Sequence, residues 1–218
     1  MNLGHLLHPS ARPASTTGVT IGTPRLYEAV TRLLFLGRRR ATYSALALAA
    51  GVRPGDRVVD VGCGSGYFAR LLATKVGTTG TVVGVDAAPE MVEYAARRTR
   101  GRANCDFKTG SAESLPLADG SVDIVVSSLV LHHLPHEVQA AAAGEMRRVL
   151  RPGGTVLIAD MEVATDSQRM PLHFRLTGMS RMRKHAPVLE PLLVDAGFAN
   201  VQTGRAGAWL GYARGVKP

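Results

Sequence analysis

The chain of 218 residues is 45% hydrophobic, which is enough apolar material for one large core rather than two small ones. A formal charge of +9 could attract an anionic partner, but the arginine-rich clusters at 38–40, 97–102 and 181–184 are scattered, and we interpret them as solvated faces. No apolar run approaches the roughly 20 residues that cross a bilayer, and two cysteines are too few for a disulfide framework or a metal cage, so we expect a cytoplasmic protein without metal or membrane insertion.

The first 51 residues are predicted to form a flexible arm and a helical cap. Residues 1–22 are rich in Pro, Ser, Thr and Gly and show little periodicity, which is typical of a loose arm. In "TPRLYEAVTRLLFLG", Thr23 stands at the capping position and Pro24 at the first helical position. The apolar face of this helix comprises Leu26, Val30, Leu33 and Leu34. A second helix, "RRRATYSALALAAG", runs to Gly51.

Residues 52–218 are predicted to form one α/β domain. The strands "DRVVDVG", "GTVVGVD", "CDFKTG", "VDIVVSSLVL" and "TVLIADM" alternate with the helices "YFARLLATKVG", "APEMVEYAARRTR" and "PHEVQAAAAGEMRRVLRPGG". The last of these helices is expected to stop at its glycines. Such alternation predicts a doubly wound, mostly parallel sheet with helices on both of its faces.

The C-terminal part has a different pattern. The segment "HAPVLEPLLVDAGF" predicts a helix, and two strands follow at Val201–Gly204 and Trp209–Val216. Because the turn between those strands is too short for a crossover helix, they must be antiparallel, which gives a seven-stranded sheet with an antiparallel last strand. Residues 161–183 are interpreted as an insert over the sheet edge, where His173, Phe174 and Met179 could line an acceptor site.

The stretch "VVDVGCGSGYFA" predicts a glycine turn between a strand and a helix, the usual place for a nucleotide cofactor. Asp86 ends the next strand, 20 residues after Gly66, where a carboxylate can accept hydrogen bonds from ribose hydroxyls. Two features argue against a dinucleotide. Tyr67 occupies the position of the third glycine of dinucleotide folds, and the Asp60 carboxylate would repel a pyrophosphate but attract a sulfonium.

Four segments in order resemble the class I S-adenosylmethionine-dependent methyltransferases, in particular the branch that includes the ubiquinone and menaquinone C-methyltransferases. They are "VVDVGCGSGYFA", "VVGVDAAPEMVEYA", "GSAESLPLADGSVDIVVSSLVLHHL" and "RRVLRPGGTVLIAD", and the resemblance covers residues 52–160. It implies a Rossmann-like fold and S-adenosylmethionine as the methyl donor, with S-adenosylhomocysteine as product. The reaction it implies is an in-line transfer to a small, hydrophobic acceptor.

The resemblance also implies a set of cofactor-binding residues. These are Asp60, Gly62, Cys63, Gly64 and Gly66 at the turn, then Asp86, Ala87 and Met91, and finally Ser111, Ala112 and Ser127. Asp86 would bind the ribose, Ala87 and Met91 would border the adenine, and the Ser127 carbonyl would accept from the methionine ammonium. The Ala112 N–H would donate to the adenine ring. Ser111 stands where the family usually has an aspartate, and a hydroxyl is a weaker acceptor for the adenine amino group.

Two residues are candidates for the chemistry. His132 and His133 follow the fourth strand, at the edge where an acceptor would lie. His133 could act as a base, since imidazole titrates near neutrality, although the "LHHLP" segment is common among members with different substrates. Tyr27 lies in the helix that, by resemblance, covers the cofactor, and either contacts the ligands or packs that helix. No cluster has metal-ligand spacing.

Two other functions stay open at this point. The positive charge is compatible with an RNA methyltransferase, but a separate RNA-binding module and an Asn-Pro-Pro-Tyr-type motif are absent from the sequence, which disfavours a nucleic acid partner. A non-catalytic S-adenosylmethionine-binding protein is the third reading. The chain reads "SSLVLHHL" where the quinone enzymes carry an Arg-Asn pair, so the acceptor is left open, as is a homodimer.

Overall fold

The computed structural model describes residues 23–161, 188–207 and 209–218. The strands are β1 (Arg57–Val61), β2 (Thr81–Asp86), β3 (Cys105–Thr109), β4 (Val122–Ser128), β5 (Leu150–Met161), β6 (Ala199–Ala206) and β7 (Leu210–Val216). The helices are α1 (Pro24–Leu34), α2 (Arg39–Ala49), α3 (Tyr67–Val76), α4 (Pro89–Arg98), α5 (His136–Val149) and α6 (Leu189–Asp195), with a 3₁₀ turn at Leu131–His133. Predicted arm residues 1–22, and all but the first residue of the predicted insert, lie outside the described ranges.

The seven strands form one sheet in the order β3-β2-β1-β4-β5-β7-β6. Neighbours from β3 to β5 are parallel, whereas β7 runs antiparallel to both β5 and β6. The predicted doubly wound sheet with an antiparallel last strand is therefore confirmed. The order reverses between β1 and β4, so the carboxyl ends of β1, β2 and β4 surround the point where such sheets bind ligands.

The core has two halves because successive strand residues point to opposite faces of the sheet. Val58 packs into the half formed with α2 and α3, around Leu46 and Leu72. Val59 packs into the other half, formed with α5 and α6, around Met146 and Leu193. Both halves are apolar, which explains why the central strands read as continuous hydrophobic runs.

The boundary between α5 and β5 differs from the prediction. The helix ends at Val149 and the strand begins at Leu150, so the glycines expected to stop the helix lie within β5. The reason is tertiary: Leu150 already pairs with Val122, whereas the next pair is Thr155 with Ile124, so residues 151–154 of β5 are accommodated by an irregularity in the register. Gly153 has a φ of +74°, a conformation that glycine adopts without strain.

Helix α1 also corrects two expectations. Thr23 stands at the N-cap position, but its hydroxyl makes no capping hydrogen bond; its backbone carbonyl accepts the Tyr27 N–H at 3.0 Å. Leu33 is 69% exposed, so the packed side of the helix excludes it, and Thr31 is the buried residue instead. The other three residues of the predicted apolar face, Leu26, Val30 and Leu34, are half-buried. No helix in the described ranges is long and apolar enough to cross a membrane.

Candidate cofactor and acceptor site

The glycine turn between β1 and α3 packs tightly against Val85 of β2 and against Val130, which follows β4. The N–H groups of Gly62 and Cys63 both donate to the Val85 carbonyl, at 2.7 and 3.0 Å, which fastens the turn to β2. Gly62, Gly64 and Gly66 have positive φ values of 71°, 52° and 72°. A side chain at Gly62 would overlap Val130, so the backbone needs glycine there for space as well as conformation.

Asp86 connects the turn to the end of β2. Its Oδ2 accepts the Gly64 N–H at 2.8 Å and its Oδ1 accepts the Ala88 N–H at 3.0 Å. Burial raises the pKa of this carboxyl, while the two N–H donors act in the opposite direction. The carboxylate is therefore fixed in orientation at the carboxyl edge of the sheet, and it retains lone pairs for a ligand's hydroxyl groups.

Asp60 is a nearly inaccessible carboxyl on β1, 2% exposed. Its Oδ2 is buried and has no hydrogen-bond partner among the described residues. Burial raises the pKa of Asp60 to about 8; the backbone of Ala69 opposes the rise and the charge of Asp86 adds to it. Without a cation nearby this carboxyl is largely protonated at neutral pH, and a cationic ligand would favour its ionised form.

Tyr27 covers the turn from α1. A Cβ placed on Gly64 would lie 3.4 Å from Tyr27 Cε1 and 3.7 Å from its hydroxyl oxygen. Burial raises the pKa of Tyr27 well above its ordinary value, and Tyr43, Asp86 and Asp60 add to the rise while Arg39 opposes it. The hydroxyl therefore stays protonated at physiological pH, which suits a hydrogen-bonding role and not removal of a proton.

The residues predicted to border the adenine lie around the ends of β2, β3 and β4. Gly110 donates its N–H to the Asp86 carbonyl at 3.0 Å, which places the following Ser111 and Ala112 beside Asp86. Ser111 is 5% exposed and bridges to Ser114. Met91 is buried, Ala87 is half-buried, and Ser127 is fully buried with a hydroxyl that has no partner in the described ranges.

Cys63 lies within the turn but is not a nucleophile. The side chain is 8% exposed, and burial together with the charges of Asp86 and Asp60 raises the pKa of its thiol. Both cysteines are free thiols. Among the described residues, no group of three or more His, Cys, Asp or Glu side chains is arranged to hold a metal ion.

His132, the other histidine of the 3₁₀ turn, pairs with an aspartate that the motif analysis did not single out. His132 is 5% exposed, and its Nδ1 lies 2.6 Å from Asp160 Oδ1. Asp160 is 1% exposed and accepts the N–H of His132 at 3.2 Å and that of Met161 at 2.7 Å. The signal was present in the sequence: "TVLIAD" ends a buried strand with a carboxylate, and β5 neighbours β4, so both ends meet at one edge.

His133, the proposed base, follows directly in the 3₁₀ turn. Its ring centroid lies 4.0 Å from that of His132, and its side chain is half-buried. The Asp160 carboxylate fixes the orientation of the His132 ring, and that ring in turn packs against His133. His173, Phe174 and Met179 lie outside the described residues, so their predicted contact with an acceptor stays a prediction.

Comparison with known proteins agrees with this geometry. A family model described as a methyltransferase domain matches residues 58–154. A ubiquinone/menaquinone biosynthesis C-methyltransferase of Ectopseudomonas mendocina is 31% identical over 195 residues, covering 78% of this chain and 75% of that protein. An arsenite methyltransferase of Halobacterium salinarum is 35% identical over 159 residues, covering 70% and 40%. The crystal structure of a SAM-dependent methyltransferase from Aquifex aeolicus has a TM-score of 0.66 at 22% identity, covering 88% and 98%.

The sheet order and the glycine turn are those of a Rossmann-like fold, in which ligands bind at the switch point of the sheet. The chain belongs to the class I S-adenosylmethionine-dependent methyltransferases. The cofactor predicted from the motifs is thereby confirmed. The chain spans 34% to 56% of the length of three other curated relatives.

Proposed function

We propose that this chain transfers the methyl group of S-adenosylmethionine to a small, hydrophobic acceptor. The observation that carries the proposal is the Asp86 carboxylate, fixed by the Gly64 and Ala88 N–H groups beside the unpartnered oxygen of Asp60. This arrangement suits a ligand with ribose hydroxyls and a positive charge. Two similar proteins are named for quinone biosynthesis and for arsenite, and neither name denotes a macromolecular acceptor.

The methyl group of the bound cofactor is already activated by its sulfonium, so the protein contributes mainly by positioning and by excluding water. Tyr27 covers Gly64 and closes the pocket on the α1 side. Ser111, Ala112 and Met91 would border the adenine, and the Ser127 carbonyl would accept from the methionine ammonium. Asp60, ionised by the approaching positive charge, would stabilise the bound donor and not the neutral product.

A base is needed only where the acceptor atom carries a proton. His133 would accept that proton, and His132 would act as a positioning residue because Asp160 fixes its ring and its ring packs on His133. The raised pKa of Tyr27 leaves it to orient ligands. The acceptor would approach the carboxyl ends of β4 and β5, where both histidines lie.

Calorimetric titration with S-adenosylmethionine tests the cofactor site. Asp86→Ala should weaken binding by about 1.4 kcal/mol or more, a tenfold loss. Asp106→Ala on the adjacent strand removes an exposed aspartate and serves as the matched control, with unchanged affinity. Equal affinity of the wild type and Asp86→Ala, with both proteins folded, would contradict the assignment of the ribose site.

An acceptor screen with the purified protein tests the reaction. We expect formation of S-adenosylhomocysteine with a small apolar acceptor, and a ratio of absorbance at 260 and 280 nm that shows no retained RNA. With an N–H or O–H acceptor, His133→Gln should lower kcat about 100-fold and remove the ascending limb of the pH profile. Asp160→Asn should shift that limb without removing it. Binding without turnover across the panel would favour the non-catalytic reading.

A further inference from the structure

A second cleft borders α1 at Glu28 and Arg32. It encloses about 890 Å³ between the first four helices. Its cationic side chains include Arg32 on α1, Arg39 and Arg40 on α2, Arg70 and Lys75 on α3, and Arg98 at the end of α4. Arg102 completes the lining and donates to the Thr74 hydroxyl at 3.0 Å. Two of the clusters that appeared scattered in the sequence, 38–40 and 97–102, therefore converge on one space; the third is not among the described residues.

The positive charge of this cleft is not balanced by its lining. Among the described residues that line it, Glu28 is the one carboxylate, against seven arginine and lysine side chains. Glu28 Oε1 lies 3.8 Å from Arg39 and 3.9 Å from Arg70. A multiply charged anion would relieve the repulsion among these side chains.

Two of the cations are partly desolvated, which strengthens their interaction with an anion. The side chains of Arg39 and Arg70 are 12% and 17% exposed. Burial lowers the pKa of Arg70; Glu28 opposes this, and the charges of Arg98 and Arg39 add to it. The Arg39 guanidinium is stacked 3.9 Å from the Tyr67 ring centroid, and its buried Nε has no hydrogen-bond partner in the described ranges. Its orientation is thus set before any ligand arrives.

The size and lining of the cleft favour a compact ligand over a nucleic acid strand. Its volume lies within the range of about 300–1,000 Å³ that is usual for small-molecule sites. The cations come from all four helices that border the cleft and from Arg102, which follows the fourth. Tyr67, the aromatic residue of the lining, is covered by Arg39, so its face is not offered to a base.

We propose that this cleft binds a compact ligand carrying two or more phosphate groups, separately from the methyl donor. Tyr27 faces the cofactor turn, whereas Glu28 and Arg32, one helical turn apart, line the cleft. Phosphate groups accept charge-assisted, bidentate hydrogen bonds from guanidinium groups, which matches the arginine content. The site goes beyond the proposed methyl transfer and does not depend on it.

Calorimetry with inorganic tripolyphosphate, compared with orthophosphate, tests the site. The double variant Arg32→Gln/Arg98→Gln removes two exposed cations of the lining, and Arg53→Gln/Arg100→Gln removes two exposed cations outside it as the control. We expect tripolyphosphate to bind more tightly than orthophosphate. The lining variant should lose about tenfold or more in affinity, whereas the control should change less than about twofold.

Titration of S-adenosylmethionine into the lining variant should be unchanged, so the two sites are tested independently. ATP and vesicles containing a phosphoinositide distinguish a free nucleotide from a lipid headgroup, and binding of either that the lining variant alone weakens supports the proposal. Absence of saturable tripolyphosphate binding would overturn it. Equal weakening in both variants, or binding of a single-stranded RNA that both variants weaken equally, would instead indicate diffuse attraction over the basic surface.

Discussion

Two regions of opposite charge adjoin helix α1 at neighbouring residues. Tyr27 lies against the glycine turn, near the carboxyls of Asp60 and Asp86. Glu28 is the one carboxylate among the described residues that line a cleft with seven cations. Neighbouring helix residues are about 100° apart around the axis, so one turn of α1 serves both regions. The protein thus presents acids where we propose that the cationic donor binds, and arginines where we propose an anion.

The glycine turn contacts both regions. Ser65, which is fully buried, donates its hydroxyl to Glu28 Oε1 at 3.0 Å, and Gly64 lies against the Tyr27 ring. The Tyr94 hydroxyl also reaches Glu28, at 3.5 Å. The comparison teaches that opposite electrostatic environments can lie on adjacent sides of one short helix, because each carboxyl is buried or paired locally.

A substitution in the glycine turn, which contacts both regions, should have the largest effect on stability. Gly66→Ala puts a Cβ 2.8 Å from Ala95 and Phe107 at a φ of +72°, so the free energy of unfolding should fall by about 2–4 kcal/mol. Gly101→Ala is the control: at a φ of +87° with no atom within 4 Å it introduces backbone strain without a packing clash, and it should cost about 1 kcal/mol. Urea denaturation measures both. Equal losses would show that packing behind the turn is unimportant.

The acidic side should respond to pH through Asp60. Because its pKa is raised from 3.8 to about 8, the folded protein binds more protons than the unfolded chain between these values. The contribution of this group to stability is therefore present below pH 4 and is lost as pH rises through about 8. Affinity for S-adenosylmethionine should rise over the same upper range, by up to about tenfold per pH unit, because a cation favours the ionised carboxyl.

Asp60→Asn provides the reference for that experiment, since it retains the titration of the ligand itself. Calorimetric affinities between pH 6 and 9 should rise more steeply for the wild type than for Asp60→Asn. Parallel curves for the two proteins would remove Asp60 from contact with the donor.

Glu28 links the two sides, and its neutralisation should move them in opposite directions. Glu28→Gln removes the charge near Arg39 and Arg70 but keeps an acceptor for Ser65, so affinity for tripolyphosphate should increase about threefold to tenfold. Affinity for S-adenosylmethionine should decrease several-fold because α1 covers the turn less firmly, at about 1 kcal/mol or less. Glu93→Gln, which loses an exposed pair with Arg97, should change neither affinity.

Salt should weaken binding in the arginine-lined cleft much more than binding of the methyl donor. Raising sodium chloride from about 50 to 500 mM should weaken tripolyphosphate binding more than tenfold, because exposed cations are screened within a few ångströms. Binding of S-adenosylmethionine should change less than about threefold, since Asp60 is 2% exposed and is screened little. Similar salt slopes for the two ligands would mean that the donor also binds through exposed charge.

Much of the sheet could be predicted from local pattern. Short apolar runs alternate with helical periodicity, and that alternation has few solutions other than a doubly wound parallel sheet. The positions of the glycine turn and of Asp86 were predicted in the same way, because residues that directly follow or end a parallel strand lie at the carboxyl edge of the sheet. The end of α5 was mispredicted because pairing of Leu150 with Val122, a contact between distant residues, overrode the helix-stopping pattern of the glycines.

The part of the candidate site outside the glycine turn could not be predicted from local sequence pattern, because it is formed by contacts between distant residues. His132 and Asp160 are 28 residues apart in sequence, and the adjacency of β4 and β5 brings them together. Both histidines follow β4, and nothing local in the sequence distinguishes the buried His132 from the half-buried His133. The exposure of Leu33 and the burial of Thr31 on α1 likewise could not be predicted from helical periodicity alone.

The sequence by itself determined the class of fold, the methyl donor and the residues of the turn, because these follow from short motifs whose order along the chain sets their place in the sheet. Only the tertiary structure decided how charges are grouped. Arg39 and Arg98 are distant in sequence yet line one cleft, while Tyr27 and Glu28 are neighbours in sequence yet serve different regions. Electrostatic interaction depends on distance through space and on burial, and both are set when helices pack on the sheet.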